Sequence, residues 1–147
     1  MLGNIVRHAL GRLRPVTTVD QVRSLIDRGQ LDAALAQTPH LHPDTPRREL
    51  ARKALEAEIA FRQGRDGEAE ETFKWVLTQD PGHAHAHYGL SLLLYERGDA
   101  EAALRHAQFA SNVLANDARY FAQLGLCHVQ LGNYPIAEGL LKQALRA

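Results

Sequence analysis

Apolar residues recur every three or four positions through most of the chain, which is the period of an amphipathic helix. Between 84 and 117, Leu90, Leu93 and Leu94 give way at Gly98-Asp99 to Ala103, Ala107 and Ala110. Two helices joined by a short turn follow. Glycine breaks the period, and aspartate is a good N-cap for the helix that resumes it. The pattern also repeats at a fixed distance. Gly64, Gly98 and Gly132 lie 34 residues apart, as do Ala69, Ala103 and Ala137. The small residues Ala57, Ser91 and Gly125 keep the same spacing, and so do the apolar sets Phe73, Ala107, Leu141 and Val76, Ala110, Ala144. Five classes of position in one register predict three helix pairs, at 50–83, 84–117 and 118–147. Small residues near the middle of each helix let paired helices approach closely.

Upstream the period is weaker. Thr18-Val19-Asp20-Gln21 reads as a capping box, and Val19, Val22, Leu25 and Ile26 then form an apolar stripe that ends at Gly29. Leu31, Ala34 and Leu35 continue it in a second short helix. Four of the six prolines (Pro15, Pro39, Pro43, Pro46) fall between 15 and 46. Thr38–Thr45 is therefore expected as a loop, with Thr45-Pro46 opening the next helix by cap and first-turn proline. Residues 16–49 read as a degenerate helix pair followed by that loop. Residues 1–14 place Leu2, Ile5, Val6, Ala9, Leu10 and Leu13 on one helical face, with Arg7, Arg12 and Arg14 and no acid. This basic amphipathic helix is expected to dock on the body or self-associate rather than to hold a membrane surface.

Composition narrows the function classes. Lys and Arg total 17, as do Asp and Glu, so the formal charge is zero. A surface that is one nucleic-acid-binding field is therefore not expected. The zero is itself a sum of a basic 1–14 segment and a mildly acidic remainder. One cysteine rules out an intrachain disulfide framework and an all-cysteine zinc site. No stretch approaches the ~20 apolar residues of a membrane span or the ~7–15 of a secretory signal core, so a cytoplasmic protein is expected.

Candidate chemistry is sparse. In a helix, His83 and His87 share a face while His85 points away, so only two imidazoles converge where zinc needs three or four ligands. These histidines are read as polar and partly exposed at a helix start. Cys127 is read as a small buried hydrophobe and His128 as an inward-facing core histidine; as neighbours on one helix they make no dyad. Glu56, Glu58, Glu68, Glu70 and Glu71 form a mostly solvated acidic stretch, with Glu70 placed to pair Lys74. No nucleophile–base arrangement survives the helical register, and the three repeat glycines are turns rather than a phosphate loop. No catalytic residue, metal or cofactor is expected.

The 34-residue register resembles the tetratricopeptide repeat. The third unit carries Phe121, Leu124, Gly125, Gly132, Tyr134, Ala137, Leu141 and Ala144 at that family's signature places, and the first carries Ala57, Gly64, Ala69, Phe73 and the closing Pro81. Glu56 and Ala115 depart from it. The resemblance implies an all-α, right-handed superhelical array of antiparallel helix pairs. It also implies a non-catalytic protein–protein interaction module, a scaffold or adaptor whose first helices line a concave groove for a peptide or partner helix. The matching groove positions are Ala51, Ala54, Glu58, Phe61 and Arg62; then His85, Tyr88, Leu92, Tyr95 and Glu96; then Arg119, Ala122, Leu126, Val129 and Gln130. Phe61, Tyr88, Leu92, Tyr95 and Leu126 would form an apolar stripe flanked by Arg62, His85 and Arg119. The clamp for a C-terminal carboxylate found in some members is missing, since Ala54, Glu58 and Gly89 stand at its key positions.

The family's usual closing helix is also missing after 118–147. Either the chain continues as a larger protein, such as an enzyme with its catalytic part beyond residue 147, or the exposed end packs on a partner or a second copy. The stretch Asp117–Cys127 is similar to type III secretion translocator chaperones, an alternative reading of the function.

Overall fold

Four glycines set the architecture. Gly29, Gly64, Gly98 and Gly132 hold φ between 73° and 82°, the left-handed region in which a side chain costs roughly 1–2 kcal/mol. At each, the following residue donates its backbone N–H to the carbonyl five positions back: Gln30 to Leu25, Arg65 to Ala60, Asp99 to Leu94 and Asn133 to His128, at 2.8–3.0 Å. These bonds close the helix before each glycine and aim the chain back along it. Gly29, slightly out of the 34-residue register, makes the same turn as the three in register.

The computed structural model describes residues 17–42 and 44–147; the expected basic helix at 1–14 lies outside them. The elements are α1 (Val19–Asp27), α2 (Leu31–Gln37), a 3-10 turn (Thr38–His40), α3 (Pro46–Arg62), α4 (Asp66–Gln79), α5 (Ala84–Glu96), α6 (Ala100–Val113), α7 (Ala118–Gln130) and α8 (Tyr134–Arg146). Among the described residues there is no strand. The architecture is the expected all-α array of helix pairs, α1–α2, α3–α4, α5–α6 and α7–α8. Each helix packs on its neighbours in sequence, and the first helices of successive pairs also touch, α1 on α3, α3 on α5 and α5 on α7.

Local chemistry explains most of the helix starts. The Thr18 hydroxyl accepts from the Gln21 amide at 3.2 Å, and the Gln21 side chain accepts from the Thr18 amide at 2.9 Å, completing the capping box. Thr45 accepts from the Arg48 amide, with Pro46 in the first turn. Asp99 and Asp117 cap α6 and α7 through Ala102 and Arg119. At α4 and α8 the start carries no side-chain cap. Asp66 is the first residue of α4 rather than its cap, and Asn133 makes no side-chain capping bond. The Thr38–Thr45 segment also holds more structure than expected. Thr38 is buried and its hydroxyl donates to the Ala34 carbonyl at 2.8 Å, which carries the chain on into the 3-10 turn. Leu41 then closes over the core.

Burial follows the repeat. Val22, Ile26 and Ala34 pack on Leu55 and Ile59 to seat the first pair on α3. Phe73, Val76, Ala86, Leu90 and Leu93 join α4 to α5. Ala103, Ala107, Leu124 and Cys127 join α6 to α7. On α8, Tyr134, Ile136 and Leu145 are exposed. No helix among the described residues is long and apolar enough to cross a membrane.

Candidate functional site: the face of the first helices

Helices α3, α5 and α7 stand side by side, so the positions they turn away from their partners form one face. Eleven of the fifteen expected groove positions divide along it. Glu58, Phe61, His85 and Tyr88 are buried; Leu92, Tyr95, Arg119 and Ala122 are half-buried; Arg62, Leu126 and Gln130 are exposed. The apolar stripe expected from sequence is thus closed at one end and open at the other.

The closed end is built around Tyr120 of α7, which is 0 % exposed. Its ring meets Tyr88 edge-on at 5.0 Å and His85 at 5.9 Å, and its hydroxyl hydrogen-bonds Nδ1 of His85. Removal from water disfavours the imidazolium and pushes His85 down to about 2, so the ring is neutral. Burial likewise pushes Tyr88 up to about 12. Phe61 belongs to the core with Ala86 and Leu90. Glu58, only 2 % exposed, lies 3.5 Å from Arg62; burial raises its carboxyl above the ordinary range, and Arg62, Arg23 and Arg119 offset part of that. These four side chains therefore face protein rather than solvent, a correction to the stripe read from sequence. A helical register says which way a side chain points, and says nothing of what the rest of the chain lays over it.

Two residues of that end come from α1, which sequence reasoning had not connected with the site. Asp27 pairs with Arg119 at 3.4 Å across the fold. Arg23 sits close enough to feel Arg119, Tyr120 and Glu58; burial, then the like charge of Arg119, hold its guanidinium below the usual arginine range. Arg119 is gripped more firmly by its own helix start. Its Nε and Nη2 donate to Asp117 at 3.0 and 2.7 Å. In turn Arg119 holds the Asp117 carboxyl below its ordinary 3.8, and the Arg119 amide donates to the same carboxylate.

Asp117→Ala removes cap and ion pair together and is expected to cost about 1–2 kcal/mol of unfolding free energy near neutral pH. A carboxyl depressed in the folded state stabilises above its unfolded value and loses that contribution as pH falls through the folded one. The difference between wild type and Asp117→Ala should therefore shrink below pH 3.8 in denaturant titrations.

The open end carries Leu126 and Val129, each 38 % exposed, beside half-buried Leu92 and Ala122. Gln130 spans to α5, donating to the Tyr95 carbonyl at 3.2 Å. Tyr95 is shared: part of its surface packs on the Ala103–Cys127 core, and part faces out.

The other singled-out residues take structural roles. Nδ1 of His83 accepts from the Ala86 amide and caps α5. His87 lies 2.8 Å from the Pro81 carbonyl through Nε2 and 2.9 Å from Nδ1 of His106 through Nδ1. A carbonyl only accepts, so Nε2 of His87 donates to Pro81. The three alternating histidines thus point to three different partners, and His85 is buried rather than partly exposed. Cys127 is 0 % exposed, with Ser91 Oγ at 3.9 Å and Gln123 Nε2 at 3.8 Å; burial raises its thiol, which fits a packing role. His128 departs from the sequence reading: it is half-buried near Asn133 instead of in the core. Gln123, which no periodicity singled out, is buried and donates to the Ser91 carbonyl and hydroxyl, a polar tie between α7 and α5.

A face of packed first helices with one open apolar end, backed by stacked helix pairs, defines a helical repeat protein of the interaction type. Residues 54–110 match the tetratricopeptide repeat family. No curated protein matches the chain. Solved structures share its fold. A crystal structure of MamA protein aligns with a TM-score of 0.59 at 16% identity, covering 87% of this chain and 69% of that one. A second crystal structure of MamA aligns with a TM-score of 0.60 at 16% identity, covering 95% and 82%. At that identity the likeness concerns the fold alone.

Proposed function

We propose that the chain is a non-catalytic scaffold or adaptor that binds a peptide or partner helix along its first-helix face, in the open half between α5 and α7. The observation that carries the reading is the pair Leu126 and Val129. Both are exposed apolar residues on a face where comparable positions nearer the N-terminus are covered. Leu92, Ala122 and the outer edge of Tyr95 extend this surface, and Gln130 and Arg62 offer polar contacts at its margins. An apolar centre with a polar rim is the arrangement through which helical and extended segments are held. Tyr88, Phe61, His85 and Glu58 support the face from below rather than touch the ligand.

Affinity capture followed by mass spectrometry, comparing wild type with Leu126→Glu/Val129→Glu, tests this reading. The double variant should lose the specifically captured partner while its circular dichroism spectrum and unfolding midpoint stay close to wild type, since both side chains already meet water. Undiminished capture by a folded double variant would overturn it.

A further inference from the structure

Helix α1 packs on α3 through Val22 and Ile26, yet its Asp27 reaches Arg119 on α7, 92 residues away in sequence. Helix α5 lies between α3 and α7. The Asp27–Arg119 pair therefore spans α5, whose buried side chains on this face are His85 and Tyr88, and Arg23 of α1 lies close enough for its charge to act on His85. Arg23, one turn before Asp27 on the same edge of α1, is half-buried, its Nε has no hydrogen-bond partner among the described residues, and it feels the charges of Arg119 and Glu58. The apolar side of α1 is thus anchored on α3, while its polar edge is fastened to α7 by the Asp27–Arg119 pair.

We propose that this ion pair is a latch: it holds α1 across the closed half of the face, and its release lets α1 lift at that edge and bares His85. The proposal goes beyond the open-half reading and needs no ligand. The fastening is weak by construction. Asp27 and Arg119 keep 40 % and 26 % side-chain exposure, and the separation is 3.4 Å, whereas Arg119 holds Asp117 at 2.7 Å. An exposed pair of this kind is screened by salt and shifts an equilibrium only a few-fold. Arg119 keeps its position when the latch opens, because Asp117 still grips it. Asp27 has no hydrogen-bonding partner among the described residues other than Arg119. The gate therefore moves on the α1 side.

Carbethoxylation of His85 by diethyl pyrocarbonate in the full-length chain, followed by peptide mass spectrometry, reads the opening directly. The exposed His40 and His42 serve as internal references. In wild type His85 should react far more slowly than either. Asp27→Asn should raise the His85 rate about two- to fivefold, and Asp27→Glu should return it toward wild type. Salt at about 1 M, where the Debye length is ~3 Å, should accelerate wild type and leave Asp27→Asn unchanged. Cys127 lies in the α6–α7 core, away from α1, and reports general loosening. Its rate with a thiol reagent should be the same in wild type and Asp27→Asn. Equal His85 rates in the two proteins, or Cys127 accelerating in step with His85, would overturn the latch.

Discussion

Gly89→Ala is expected to lower the unfolding free energy by about 2–3 kcal/mol, although alanine is the better helix former by roughly 1 kcal/mol. Gly89 sits within α5 with no special backbone conformation, so intrinsic propensity alone predicts a gain. The tertiary contact reverses the sign. A Cβ on Gly89 would fall inside the ring of Phe73, which is 1 % exposed and packed by α4 and α5 on all sides. A rigid ring in a filled core has no rotamer to escape into, so the helices must part. For a chain of this size each kcal/mol moves the midpoint by roughly 2–4 °C, and thermal unfolding followed by circular dichroism reads the loss. A cycle makes the cause specific. In a Phe73→Ala background, itself costing about 3–5 kcal/mol, the same Gly89→Ala change should be neutral or stabilising, because the methyl enters the space the ring vacated. Additive losses would place the cost elsewhere. Gly125 supplies a contrast. There the added Cβ meets Leu141 Cγ at 2.9 Å and Cδ2 at 3.0 Å, with the Ala137 carbonyl at 3.4 Å; a leucine can turn where the Phe73 ring cannot, so Gly125→Ala should cost less than Gly89→Ala.

Tyr120→Ala is expected to cost about 3–5 kcal/mol and to change the response to acid. The ring fills the closed end of the face against Tyr88 and His85, and no neighbouring side chain is placed to replace it. Its effect on His85 is separable from the loss of packing. His85 is held neutral when folded, at about 2, against 6.5 for an ordinary imidazole. A histidine depressed in the folded state stabilises above its unfolded value. That contribution is lost as pH falls below 6.5, by up to about 1.4 kcal/mol per pH unit. Removing Tyr120 lets water reach the imidazole, so the acid-side slope contributed by His85 should shrink in Tyr120→Ala. Tyr120→Phe, which keeps the ring and removes the hydroxyl, should cost about 1–3 kcal/mol while retaining most of that slope. Denaturant unfolding of the three proteins near pH 7 and near pH 5 separates packing from protonation. His83 and His106 are also depressed by burial and add to the wild-type slope; Tyr120→Ala leaves their surroundings in place.

Cys127 shows how far periodicity reaches. A small residue on the inner stripe of an amphipathic helix is buried whatever lies opposite, because the helix has one apolar side and one neighbour to bury it against. The same reasoning read Ala69, Ala103 and Ala137 correctly; all three are buried. It failed at His128, one residue on, where the stripe ends and exposure depends on the Asn133 turn. It failed also at His85, where a polar residue at an outward register position was taken to meet solvent.

The helix pairs, their turns and their repeat were legible in the chain alone, because they rest on interactions a few residues long. Four left-handed glycines, threonine and aspartate caps, and small residues at a fixed spacing each act within their own turn or on the helix beside it. What covers the face of α3, α5 and α7 is decided by contacts between residues 35 to 92 positions apart: Tyr120 on His85, Asp27 on Arg119. No period in the sequence records those distances. The same holds for Gly89, whose lack of a side chain belongs to no repeat and is explained only by the Phe73 ring that the preceding helix presses against it. Local order determined that a face of first helices would exist, and only the superposition of distant helices determined which half of it is open.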